Sequence, residues 1–233
     1  YLVMRERTYV KIDLNALEYN INSICKKIDG KAKILGVIKA DAYGHGAVET
    51  AKFIEDKCDF FGVACVEEAT ELIDAGIKKP ILVLGYVSPD EFEITVKNDI
   101  RVPIFSFENA KALSDEAVRQ GKKAHFHFAI DTGMSRIGFQ VDEQSADICK
   151  KICELPNICA EGLFSHFATA DEEDLTKTYE QQNKFKAFVK MLEERVSEFQ
   201  KKWAKHLVNF EMGSDTSVIA AEINDIMSTY SFE

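Results

Sequence analysis

No apolar run in the 233-residue sequence approaches the roughly 20 residues that a membrane-crossing helix needs. The N-terminus also lacks the succession of basic region, apolar region and small-residue cleavage site that marks a secretory leader. Both absences lead to the expectation of a cytoplasmic protein with no membrane partner. No CxxC pair occurs among the six cysteines, Cys25, Cys58, Cys65, Cys149, Cys153 and Cys159. That argues against a zinc ribbon or a dense disulfide framework and for buried thiols, so no metal is expected. Positive charge is in deficit: the formal net charge is -10. A nucleic-acid or anionic-membrane surface would need a basic face, which leaves a small-molecule site as the expected partner. Neither GxGxxG nor GxxxxGK[ST] is present, and no Pro/Gly/Ser-rich linker or low-complexity segment divides the chain.

What is there is enough apolar residue, 46% of the total, to bury a full core. Leu14, Leu17, Ile21, Ile24 and Ile28 recur at spacings of three and four, which predicts an amphipathic helix capped by Asp13 or Asn15. Strands and helices then alternate. KILGVIK, FFGVACV, PILVLGYV, VPIFSF, AHFHFAID and AEGLFSHF read as strands, each followed by a helical pattern. The last of these helices carries the stripe Phe185, Phe188, Leu192, Val196, Phe199 and Trp203, HLVNFE is a seventh strand candidate, and SVIAAEIND a short helix after it. Strict alternation with short connections predicts a parallel sheet covered by helices, and about seven units in this length favour a (β/α)8 TIM-type barrel over an open sheet. The pattern stops short of a full last unit after Asp225.

In such a barrel the chemistry sits at the C-terminal ends of the strands. The first strand ends on Lys39, an amine that either snorkels to solvent or, partly desolvated, forms a Schiff base with an aldehyde. The turn that follows, Tyr43, Gly44, His45 and Gly46, could bring a phenol or backbone near a ligand, or its glycines could serve turn geometry alone. In the fifth strand Phe126, Phe128 and Ile130 share one parity, expected beneath the helices. His125, His127, Ala129 and Asp131 share the other, expected toward the barrel interior. Hydrogen-bonded packing of the two histidines is preferred to a metal site. Arg136, in the loop beyond, suits a carboxylate or a surface ion pair, and His166 closes the sixth strand, where it could stack, act as a base or cap the barrel.

The segments KIDLNALEYN, VIKADAYGHGA, DTGMSRIGF and GLFSHFATAD, spread from Lys11 to Asp171, together resemble the N-terminal barrel domain of bacterial alanine racemases. That resemblance implies pyridoxal 5'-phosphate as cofactor, an amino-acid substrate and the racemisation of L- and D-alanine for D-alanine and cell-wall synthesis. Carried over by position, Lys39 is the catalytic lysine that holds the cofactor as a Schiff base and acts as acid and base on one face of Cα. Tyr43 contacts the cofactor phosphate, His166 packs beside the pyridine ring, and Arg136 orders the substrate carboxylate.

The sequence also departs from the family pattern. The family often has a lysine, modified to a carbamate, two residues before the aspartate of DTGM, and here that position is Ala129. No arginine follows Arg195 to face the pyridine nitrogen, and only Thr216 or Ser217 could stand in for the phosphate-binding serine. The family's second base is a tyrosine of a C-terminal β-domain, supplied by the partner of a homodimer. The expectation is therefore that residues 1–233 form the barrel domain without that β-domain and are inactive alone. The alternative is a single-barrel pyridoxal-phosphate homeostasis protein, and a third reading has Lys39 and His166 merely filling the barrel mouth.

Overall fold

Asp13 caps the first helix, α1 (Leu14–Ile28): its carboxylate accepts the Asn15 and Ala16 amides at 2.9 and 3.3 Å. Leu17, Ile21, Ile24 and Ile28 turn inward as their spacing predicts, and Asp29 ends the helix in the left-handed region. The computed structural model describes residues 9–30 and 32–196, and the backbone of 207–211.

After α1 the chain alternates. β1 (Lys33–Val37) leads through a short turn, α2 (Lys39–Gly44), into α3 (Ala47–Ile54), then β2 (Phe60–Val63) and α4 (Val66–Asp74). β3 (Ile81–Val83) is followed by a 3-10 turn at Pro89–Glu91 and α5 (Phe92–Lys97), β4 (Val102–Ile104) by α6 (Phe107–Gln120). β5 (Ala124–Asp131), the two-residue β6 (Phe139–Gln140), α7 (Glu143–Cys153), β7 (Ile158–Phe164), α8 (Thr176–Arg195) and β8 (Leu207–Glu211) complete the order. All strand pairs are parallel. β8, β1, β2 and β3 are neighbours in one sheet, β5 pairs with β4, β6 and β7 in the other, and a bridge between Leu82 and Arg101 joins β3 to β4. The result is a (β/α)8-type barrel that does not close among the described residues.

The seventh strand expected at HLVNFE lies beside β1, with Lys33 opposite Leu207 and Val37 opposite Glu211. A buried strand edge must pair its amides and carbonyls, and β8 supplies that pairing to β1. Phe199, Trp203, SVIAAEIND and everything after Glu211 lie outside the described residues.

Strand parity creates two apolar layers. Ile34, Phe61, Val63, Ile81, Val83, Phe126, Phe128 and Ile130 pack against the helices. Leu35, Val37, Phe60 and Leu82, joined by Leu84 and Phe164, fill the interior. The parity read for β5 is therefore realised. Below the apolar interior sits a polar base. Arg101, only 8% exposed, donates to Glu161 at 2.9 and 3.3 Å and to the Asp99 carboxylate at 2.9 Å. The His127 imidazole meets Glu161 at 3.4 Å and His125 meets Asp99 at 2.8 Å. Phe60 roofs this cluster, edge-on to His127 with ring centroids 6.2 Å apart and with the Arg101 guanidinium 5.9 Å from its centre. The two histidines are thus hydrogen-bonded to carboxylates, and no trio of metal-ligating side chains is assembled among the described residues.

Candidate functional site

The strand ends converge as the barrel topology requires: Lys39 follows β1, Arg136 lies in the loop after β5, and His166 follows β7. Phe164, the last residue of β7, packs in the same interior cluster as Val37, the last of β1, so these two mouths share one floor.

The lysine turn is unusual. Ala40, Asp41, Ala42 and Tyr43 all adopt left-handed helical angles, with φ of 51, 54, 51 and 55°. For non-glycine residues this costs about 1–2 kcal/mol each, so neighbours must hold the turn. The Ala42 amide donates to the Ile38 carbonyl at 2.9 Å and the Gly46 amide to the Asp41 carbonyl at 3.0 Å. The Asp41 carboxylate accepts the Ala47 amide at 2.7 Å at the start of α3. Glu68 of α4 accepts the Ala40 amide with one oxygen, at 2.8 Å, and the Ala64 amide with the other, at 2.7 Å, tying the lysine turn to the end of β2. Gly44 extends the positive-φ run at 85°, and Gly46, beyond His45 at -88°, returns to positive φ at 86°, so turn geometry accounts for both glycines. The Lys39 ammonium is thereby set 5.8 Å from the Tyr43 ring centre, and no carboxylate pairs with it among the described residues.

This conformation makes a signed prediction. Ala40→Gly should raise stability by about 0.5–1 kcal/mol, because exposed Ala40 gives up left-handed strain, whereas Ala40→Val should lower it by about 1–2 kcal/mol. Thermal denaturation of the pair decides; a destabilising glycine would mean that the turn is not left-handed in solution.

The β5 loop is organised by Asp131, whose carboxylate accepts the Gly133 and Ser135 amides at 3.0 and 2.9 Å and the Gln140 side chain at 3.2 Å. Burial pushes this carboxyl's pKa up, but the two amides, the Gln140 bond and the charge of Lys184 outweigh it and hold the group below its ordinary value. The loop presents Arg136 exposed to solvent, with no ion-pair partner among the described residues of an acidic chain. Ala129, where the family often has lysine, is buried in β5.

The third loop is tied to the second. The Thr132 and Ser165 hydroxyls lie 2.7 Å apart. Gln181 of α8 donates to the Thr132 hydroxyl at 3.1 Å and to the His166 carbonyl at 3.0 Å, and accepts the Ala168 amide at 2.9 Å. The structure therefore brings Lys39 directly to Tyr43, and joins the His166 loop to the loop bearing Arg136. Thr216 and Ser217 lie outside the described residues.

Glu68 and Gln181 also belong to the site, although neither stands in one of the motifs above. Glu68 gives no signal in an acidic first turn of a helix. Gln181 does give one: it stands four residues before Phe185 on the stripe that continues to Phe188 and Leu192, where an amide is out of place.

The family described as "Alanine racemase, N-terminal domain" matches residues 12–206. An alanine racemase of Clostridium perfringens is 44% identical over 187 residues, covering 80% of this chain and 48% of that protein. The alanine racemase structure of Clostridium difficile 630 superposes with a TM-score of 0.81 at 41% identity, covering 89% of this chain and 52% of that one. The Bacillus anthracis alanine racemase solved with bound L-Ala-P gives 0.78 at 30% identity, with 88 and 52% covered. The chain spans about half the length of the curated relatives it matches.

Proposed function

This chain belongs to the alanine racemase N-terminal domain family, and from that premise we propose that it is the cofactor-binding barrel of a pyridoxal-phosphate-dependent amino-acid racemase acting on alanine. The observation that carries the reading is Lys39: an amine at the C-terminal end of β1, locked in place by a strained turn and unpaired among the described residues. Backbone strain of this kind concentrates at functional sites. A surface lysine would need none of it.

The donor set fits a phosphorylated aromatic aldehyde. Lys39 supplies an amine for the aldehyde carbon, Tyr43 a phenol for the phosphate, His166 an imidazole for the ring, and Arg136 a guanidinium for the substrate carboxylate. When bound, pyridoxal phosphate supplies a ring that accepts the negative charge left at Cα. The protein's part is to place and move protons. Lys39 Nζ takes the Cα proton from one face and returns it there, while Arg136 holds the carboxylate so that Cα presents that face. Reprotonation from the opposite face needs a second base, for which we look to the part of the relatives' length that this chain does not span. The complete activity then belongs to a longer, dimeric protein. A homeostasis protein built on one barrel is less well supported, because the sequence matches are to racemases.

The test is to add pyridoxal phosphate to the purified chain, record the visible spectrum, reduce with borohydride and map the modified peptide. The expected result is a visible absorption band and a pyridoxyl adduct on Lys39, absent in Lys39→Ala, with little or no racemisation of alanine. Adducts scattered over surface lysines, with none at Lys39, would overturn the reading.

A further inference from the structure

Gln181 belongs to none of the motifs that carry the family resemblance, yet its amide commits both donors and its oxygen to two loops of the mouth. Both N–H groups donate, one to the Thr132 hydroxyl and one to the His166 carbonyl, and the oxygen accepts the Ala168 amide. The residue is 4% exposed. A buried amide is costly unless it is hydrogen-bonded, and an apolar residue would continue the stripe of α8 with no such requirement.

The surroundings are shaped around it. A β-carbon on Gly133 would stand 3.4 Å from Gln181 Cγ, so the β5 loop rests directly on this side chain. Thr132 passes the connection on to Ser165, 2.7 Å away, which precedes His166. Phe188 and Leu192, about two and three turns further along α8, are fully buried in the helix layer and anchor the element that carries the amide. One rigid helix thus fixes the ends of β5 and β7 relative to each other.

We infer that Gln181 is a positioning residue that sets the His166 backbone against the loop carrying Arg136; the inference rests on the roles proposed above for those two side chains. It acts through them and touches no reacting atom. Precise placement of groups that do touch the ligand depends on such supporting hydrogen bonds.

Two near-isosteric variants of the full chain separate positioning from mere filling of space. Gln181→Met removes all three bonds. Gln181→Glu keeps the acceptor for Ala168 and loses the donors. The measurements are amide hydrogen exchange at Ala168 and the pyridoxal phosphate concentration that gives half-maximal reducible adduct on Lys39. In Gln181→Met, Ala168 should exchange about tenfold faster or more, with the Phe188 amide unchanged, and the concentration should rise about tenfold. In Gln181→Glu, Ala168 should stay protected while the concentration still rises. Variants that leave the concentration unchanged, or that move Ala168 identically, would overturn the inference. Should Gln181→Met not fold, the split between the two readouts in Gln181→Glu decides alone. If the parent chain forms no adduct on Lys39, the functional reading has failed independently, and the His166 imidazole resonances take the adduct's place: shifted in both variants they support the inference, unmoved they sink it.

Discussion

Acidification should remove about 3 kcal/mol of stability between about pH 4.5 and pH 2, and Glu161→Gln should remove that acid-sensitive limb by giving up the same stability near neutral pH. Burial pushes the Glu161 carboxyl upward. The hydrogen bonds from His127 and Arg101, with the charge of Arg101, prevail and bring it down to about 2 from 4.5. A folded-state value below the unfolded one means that the contribution is fully present above about pH 4.5, and is lost as pH falls through about 2. The glutamine variant has no carboxylate to protonate there. It leaves Arg101, which is one-tenth exposed in its side chain, with Asp99 as its remaining carboxylate in the ion pairs described. Breaking one side of a buried pair is costly for this reason. Urea titrations of parent and variant at a series of pH values give the comparison. Two parallel stability curves, offset or superimposed, would show that Glu161 is not the group that titrates.

Those residues also show where the sequence is legible. The parity of β5 places His127 inside because a strand alternates strictly, and the same rule separates Phe126 and Phe128 onto the helix side. Its partner is another matter. Phe126 pairs with Ala160 and His127 with Gly162, so the register slips at Glu161, an extra residue in β7 opposite that step. Gly162 makes room for the ring: a β-carbon there would stand 2.5 Å from His127 Cε1. Periodicity carries no mark of a bulge, and Asp99 and Arg101 come from the approach to β4, where nothing local calls for them. The same division holds at the mouth. Lys39, Tyr43, Arg136 and His166 stand in short motifs that can be matched segment by segment. The left-handed turn under Lys39, the Glu68 clamp and the Gln181 strap depend on contacts between elements, which appear only when the strands are side by side.

Gly138, in the same DTGMSRIGF segment as Arg136, carries the other large effect. Gly138→Ala is expected to destabilise the chain by about 3–5 kcal/mol, or to release the β5 loop if the loop gives way first. Its φ is 130°, which L side chains rarely adopt. A β-carbon would also land on the Asp131 backbone nitrogen and 2.6 Å from the Ile130 carbonyl carbon. These are backbone atoms of β5 and cannot swing aside like a side chain. Relief would have to come from the loop itself, by parting β6 from Ile130 and Asp131 and withdrawing the Gly133 and Ser135 amides from the Asp131 carboxylate. Gly121→Ala is the control: its φ is positive too, at 61°, but nothing lies within 4 Å, so strain acts there without a clash and should cost about 1 kcal/mol. Thermal denaturation gives the two costs, and amide exchange at Gly133 and Ser135 tells a strained loop from a released one. Because Lys39 sits on a separate turn, a released loop should still allow the reducible adduct on Lys39 while abolishing any effect of an amino-acid carboxylate on it. Equal costs for the two glycines, with Gly133 and Ser135 still protected, would mean that Gly138 serves only backbone freedom and that the packing of this loop against β5 does not hold Arg136.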